Sequence, residues 1–223
     1  MPQQLSFDLP VRPSLAAGDY VVSEANEAAY VMVCEQAWPV GKMALIGAPG
    51  AGKTHLARVW QAQMGGHIWQ AGGLDAGGGL PPDGANLVIE DMERLPRSAE
   101  EYVFHVHNHI LNTGGQLLVT SDRGPGDWAI RLPDLASRMQ AMPAVSIGDP
   151  DEWLMTAVLA KLFADRQLVP TPDVIPFLVS KLPRSLAIAA DVVAQMDAAA
   201  LAHRRPLNRP LARQVLDNRA VHG

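Results

Sequence analysis

The sequence predicts an α/β fold: a core built on a parallel sheet, with a small helical lid appended on its C-terminal side. Three observations carry this expectation. Short aliphatic runs alternate with helical patterns from residue 42 to about 149, the signature of parallel strands joined by right-handed crossovers. One of those runs, Met43-Ala44-Leu45-Ile46, leads straight into the pattern G-x-x-x-x-G-K-T at residues 47–54. From Pro150 onward every periodic segment is helical. The chain therefore divides into an extended tail (1–13), an α/β nucleotide-binding core (14–149) and a helical lid (150–223).

The G-x-x-x-x-G-K-T stretch sits where a phosphate-binding loop must sit, between a strand and a helix. Gly47, Gly50 and Gly52, with Ala48, Pro49 and Ala51 between them, allow a tight turn whose N–H groups face an anion. The next helix opens at Lys53, Thr54 and His55, adding unsatisfied N–H donors and the positive end of its dipole. Lys53 is expected on the β- and γ-phosphates and Thr54 on Mg²⁺. The ligand class is a nucleoside phosphate.

Composition narrows the partners. Eighteen basic residues against 23 acidic ones give a formal charge of −5, which disfavours broad, non-specific nucleic-acid binding through many cationic contacts. With 48% hydrophobic and 18% charged residues a sizeable core is available. The one cysteine, Cys34, cannot form an intrachain disulfide and fits a reducing compartment. No apolar run has the length of a membrane span, and no basic-then-apolar leader opens the chain. The expectation is a cytoplasmic protein with no membrane contact.

Taken in order, the tail Gln4-Leu5-Ser6-Phe7-Asp8-Leu9-Pro10 alternates Leu5, Phe7 and Leu9 on one side of an extended peptide. It is either an arm packed on its own domain or a linear peptide for a partner's apolar pockets. Residues 23–38 read as a helix capped by Ser23, ended by Pro39 and Gly41. The helix after the phosphate loop runs to Met64 and stops at Gly65-Gly66. Residues 67–69 form a short strand, and residues 72–84, with six glycines and two prolines, a plain connection. Residues 86–91 are a buried strand ending in Glu90 and Asp91, placed to hold Mg²⁺. Residues 100–113 are a helix burying Tyr102, Val103, Val106 and Ile110. His105 and His109 on it have i, i+4 spacing but lack the glutamate of H-E-x-x-H, so packing or solvation is their expected role. A third strand, 116–122, ends in polar groups including Ser121. A helical or turn segment, 135–139, and a short strand, 144–147, complete the core. In the lid, Leu154, Val158 and Leu162 form one line of a helix and Met155, Leu159 and Phe163 the next. Further helices are read at 172–182, 185–202 and 210–219.

The order of these pieces resembles an AAA+ P-loop NTPase, and more closely the DnaA-like branch of that family, over most of the chain. Gly18-Asp19-Tyr20-Val21-Val22 followed by Asn26 is similar to the family's segment beside the adenine pocket. Residues 47–54 with His55-Leu56 match Walker A, and residues 87–91 occupy the Walker B place. The segment ending at Ser121 resembles the sensor I strand. Arg138, in Leu132-Pro133-Asp134-Leu135-Ala136-Ser137-Arg138, matches the arginine finger, and Arg184 matches sensor II. The resemblance implies bound ADP or ATP with Mg²⁺ on Thr54, Glu90 and Asp91.

Gln4-Leu5-Ser6-Phe7-Asp8-Leu9 resembles the Q-L-x-x-x-L motif that binds the DNA polymerase III sliding clamp (the beta subunit). The DNA-binding domain with which DnaA continues has no counterpart in these residues. Together these features imply a negative regulator of replication initiation. It would bind the clamp, contact DnaA, and stimulate hydrolysis of DnaA-bound ATP through Arg138 supplied in trans. DNA would be reached only through the clamp, and self-association stays open. One departure bears on self-hydrolysis. Glu90 stands where the family has aspartate, and its extra methylene displaces the carboxylate relative to Mg²⁺, so weak or no ATPase of its own is expected. The competing classes are a helicase loader acting on single-stranded DNA and a metabolic P-loop kinase. The acidic balance counts against the first, the two arginines and the lid against the second.

Overall fold

The computed structural model describes residues 20–203 and 205–222. The clamp-type hexapeptide from Gln4 to Leu9, and Gly18 and Asp19, lie outside the described residues.

Five short strands, Lys42–Ile46 (β1), His67–Gln70 (β2), Leu87–Glu90 (β3), Leu117–Ser121 (β4) and Ala144–Ser146 (β5), form one sheet in the order β2-β3-β4-β1-β5. Every pairing is parallel. β1 lies between β4 and β5, with Ala44 opposite both Val119 and Ala144. Helices cover both faces, which is why β1, β3 and β4 read as unbroken aliphatic runs.

Alternation along the strands divides the core in two. Leu87, Ile89, Leu117 and Val119 pack under Val103, Val106 and Ile110 of the helix Glu100–Asn112 (α3) and under Leu135 and Met139 of Pro133–Gln140 (α4). Met43, Leu45, Val88 and Leu118 pack under Leu56, Ala57 and Trp60 of Lys53–Met64 (α2). Each fully buried aliphatic or aromatic side chain contributes about 1.5–3 kcal/mol.

The first helix begins later than the sequence suggested. Asn26 accepts from the Ser23 N–H through Oδ1 (2.8 Å) and donates through Nδ2 to the Val21 carbonyl (2.9 Å). These local bonds hold residues 21–26 as a turn, so the α-helix (α1) spans Glu27–Tyr30 and continues as a π-helical turn, Val31–Glu35. The glycine-rich connection is also not free-standing. Tyr102 donates to Gly79 O (2.7 Å), His109 bonds Pro81 O (2.8 Å) and Gly84 N donates to Thr113 Oγ1 (3.0 Å), pinning residues 79–84 along α3.

The C-terminal part is helical: Glu152–Asp165 (α5), Val174–Lys181 (α6), Leu186–His203 (α7) and Arg209–His222 (α8). Asp151 caps α5 by accepting from Leu154 N at 2.7 Å. Met155, Leu159 and Phe163 meet Phe177 and Leu178 of α6, Val192 and Met196 of α7, and Leu211 of α8 in a separate core. Among the described residues no helix is long and apolar enough to cross a membrane.

Candidate functional site

β1 releases the chain into the glycine-rich loop at the C-terminal edge of the sheet, where ligands of parallel α/β folds collect. Gly50 and Gly52 have φ of +81° and +107°, conformations that a side chain would oppose. A β-carbon at Gly50 would also collide with the Ser185 hydroxyl. The loop touches the lid directly, since Leu186 N donates to Gly50 O at 2.8 Å. Lys53 is folded onto its own loop, its Nζ donating to Gly47 O (2.6 Å) and Ala48 O (3.2 Å).

A cavity of about 740 Å³ opens beside this loop, and its walls come from four places. The loop and α2 supply Pro49, Gly50, Gly52, Lys53, Thr54, His55 and Arg58. Tyr20, Val21 and Asn26 close one end, with Tyr20 stacked on Tyr30 (5.8 Å) and edge-on to His55 (5.2 Å). Burial first, then Cys34 and Tyr30, holds the Tyr20 phenol protonated well above its ordinary range, and its buried oxygen has no hydrogen-bond partner among the described residues. The strand ends supply Asp91, Glu93, Arg94 and Asp122, and the lid supplies Leu154, Val158, Leu162, Leu186, Ala187 and Ala190. One end is thus aromatic and apolar and the other carries backbone N–H groups, cations and carboxylates. That polarity suits a ligand with a flat base and a charged tail.

Several expected residues stand elsewhere. Glu90 is buried and turned along the sheet, where Gln70, its register partner on β2, donates to Oε2 and leaves Oε1 without a partner. It does not line the cavity; Asp91 does. Asp91 reaches that position through a left-handed backbone (φ +56°), supported by its N–H donating to the buried Thr120 hydroxyl at 3.2 Å. Ser121 is also turned away, donating to Glu93 Oε2 (2.8 Å) and accepting from Trp128 Nε1 (2.9 Å), while Asp122 faces the cavity. A hydrogen bond from Arg123 keeps the Asp122 carboxyl below its ordinary pKa. Arg184 is exposed and lies 3.8 Å from Glu152 on α5, outside the cavity wall. Gly47, Ala48, Ala51 and Val22 do not line the cavity.

Arg138 does not line this cavity. It projects, exposed, from the last turn of α4, with its guanidinium carbon 5.1 Å from the centre of the Phe104 ring. His105 and His109 do not converge: His105 faces Glu101 (3.9 Å), and His109 faces Pro81 O and Asp83 (3.4 Å).

Arg58 and the α5 line Leu154-Val158-Leu162 were missed as wall residues. Arg58 lies four positions after Thr54, hence on the same helical face, a signal present in the sequence. Among the described residues no cluster of three or more His, Cys, Asp or Glu could hold a metal unaided. A cation shared with phosphate oxygens needs fewer protein donors, and Thr54 and Asp91, both on the cavity wall, are oxygen donors of the required kind.

No family model matches the chain. Similar solved structures define its fold. Domain III of the replication initiation protein DnaA from Thermotoga maritima has a TM-score of 0.73 at 19% identity, covering 89% of this chain and 94% of that one. AMPPCP-bound DnaA from Aquifex aeolicus gives 0.57 at 18% identity, over 81% of this chain and 63% of that one. The Thermotoga maritima RuvB Holliday junction branch migration motor gives 0.61 at 16% identity, over 86% and 65%. The chain shares the fold of these domains.

Proposed function

We propose that this protein is a nucleotide-bound regulator of replication initiation, similar to Hda, the regulatory inactivator of DnaA. In this reading it holds ADP or ATP in its own cavity and accelerates hydrolysis of ATP held by DnaA. The observation that carries the reading is the position of Arg138, exposed, outside the wall of the chain's own cavity, and bonded through its carbonyl to Lys42 at the start of β1, whereas the phosphate loop follows the end of that strand. A guanidinium so placed serves a nucleotide bound to another molecule. Supplied in trans, it stabilises the charge that develops on the transferring phosphoryl group, an effect of about 10³–10⁵ in rate.

The bound nucleotide would set its base against Tyr20 and His55 and its phosphates against the loop N–H groups. Lys53 would exchange Gly47 O and Ala48 O for phosphate oxygens. Thr54 and Asp91 would hold Mg²⁺, which neutralises phosphate charge. With Glu90 occupied by Gln70 rather than facing the cavity, self-hydrolysis is slow in this reading. Gln4, Leu5, Phe7 and Leu9 would tether the protein to the sliding clamp on DNA, raising its effective concentration near DnaA.

The test measures hydrolysis of DnaA-bound ATP with and without this protein and clamp-loaded DNA. The expected outcome is stimulation that Arg138→Ala abolishes while nucleotide and clamp binding persist. Full stimulation by that variant overturns the finger assignment. Tight, salt-sensitive binding of single-stranded DNA by the isolated protein would favour a helicase-loader function instead.

A further inference from the structure

α4 is a helix of eight residues whose two ends are each held by a buried charged side chain from another element. At its start, Glu100 of α3 is 6% exposed. Its carboxylate accepts from Leu132 N (2.7 Å), the residue that caps α4, and from Arg131 N (3.0 and 3.1 Å). At its end, Lys42, the first residue of β1, is 8% exposed. Its Nζ donates to the carbonyl of Arg138 itself (2.8 Å) and to His107 Nε2 (3.3 Å). His107 is 1% exposed and, chiefly through burial, has its pKa lowered to about 4. It is therefore neutral near pH 7. With Nε2 accepting from lysine, Nδ1 carries the proton and donates to Asn108 Oδ1 (3.3 Å).

Both charges have the sign that a helix end favours, negative at the N-terminus and positive at the C-terminus. Both are costly to bury, and each is directed at backbone groups of one end of α4, the Arg131 and Leu132 N–H groups at its start and the Arg138 carbonyl at its end. What they share is α4. Leu135 and Met139, fully buried, fix its inner face, and the Phe104 ring lies under the outward guanidinium. Rotation or sliding of α4 as a body, or unwinding of its last turn, would break one of these charged hydrogen bonds to its backbone.

We infer that Lys42, with His107 behind it, and Glu100 are positioning residues for Arg138, fixing α4 so that the guanidinium meets a partner's phosphates already oriented. This rests on the reading of Arg138 as a finger acting in trans. Lys42→Met, Lys42→Arg, Glu100→Gln and Arg138→Ala, each in the full chain, are compared in clamp-dependent hydrolysis of DnaA-bound ATP. Maximal rate and half-maximal protein concentration are read separately, alongside the chain's own nucleotide affinity.

Lys42→Met is expected to lower the maximal rate about tenfold, because a small misplacement of a catalytic group suffices for that loss. Half-maximal concentration and nucleotide affinity stay within about twofold. Lys42→Arg, which keeps a buried cation, recovers most of the rate. Glu100→Gln gives the same pattern from the opposite end of α4 and decides the matter if Lys42→Met fails to fold. Wild-type maximal rates in Lys42→Met and Glu100→Gln, with Arg138→Ala inactive, overturn the positioning inference and leave the finger standing. Full activity of Arg138→Ala removes the finger and the inference together.

Discussion

His107 ties protein stability to pH. Burial lowers its pKa to about 4, and the nearby Lys42 and Arg138 charges add to that shift. Unfolded, it titrates near its ordinary value of about 6.5. Between those values the unfolded chain binds the extra proton, so this group's contribution is complete above about pH 6.5 and falls as the pH drops toward 4. The total is about 3 kcal/mol at most. Urea denaturation at pH 7.5 and 4.5 is expected to show the loss in the wild type and a smaller one in His107→Asn. Equal losses would place the acid sensitivity elsewhere. A second residue pair separates metal binding from fold. Asp91→Asn keeps a residue tolerant of the left-handed backbone but removes the charge, and is expected to abolish most of the Mg²⁺ dependence of nucleotide affinity. Glu90→Gln leaves it nearly unchanged, as nucleotide titrations with and without Mg²⁺ would reveal. Lys53 and Thr54 were legible in the sequence because motif spacing alone fixes them. The orientation of Glu90 was not, because it depends on Gln70, brought alongside only when β2 pairs with β3.

At the scale of elements, α5 has two apolar lines with different partners. Met155, Leu159 and Phe163 enter the lid core, while Leu154 and Val158 face the cavity and Leu162 touches both. Periodicity located both lines but could not rank them, since each is equally apolar and only the position of α7 and the phosphate loop assigns their faces. Leu159→Ala is expected to lower stability by about 2–5 kcal/mol. Val158→Asp, on the half-buried cavity side, is expected to cost less stability but weaken nucleotide binding severely. Denaturant midpoints paired with nucleotide titration separate these; equal destabilisation by both would contradict the division of faces. The late start of α1 has a similar cause. Ser23 is a fair cap by composition, but the two side-chain bonds of Asn26 favour a turn over the first helical residues.

For the whole molecule, strand alternation gave the parallel sheet and the change of pattern after Pro150 gave the lid, but neither gave the order β2-β3-β4-β1-β5. That order inserts β4, which follows β3 by a full crossover, between β3 and β1. It thereby sets Asp91 and Asp122 beside the phosphate loop although they lie 38 and 69 residues beyond Lys53. The core and the lid meet at Gly50, and Gly50→Ala tests that junction. Both its positive φ and its closeness to Ser185 oppose a methyl group, so nucleotide affinity is expected to fall at least tenfold, the loop being unable to close on phosphate. Retained affinity in a titration would mean that the loop reshapes without the lid.

The hydrogen bond from Leu186 N to Gly50 O carries a consequence for timing. In the proposed reading, phosphate entry would detach Lys53 from two carbonyls of this same loop, and the loop and the lid would respond together. Coupling of this kind is reciprocal in binding free energy. A partner that grips α7 would therefore lengthen or shorten the dwell time of the nucleotide without touching it, turning the cavity into a clock that the partner winds. Stopped-flow release of a fluorescent nucleotide with and without DnaA would read that clock directly, and identical release rates would mean that the lid does not gate it.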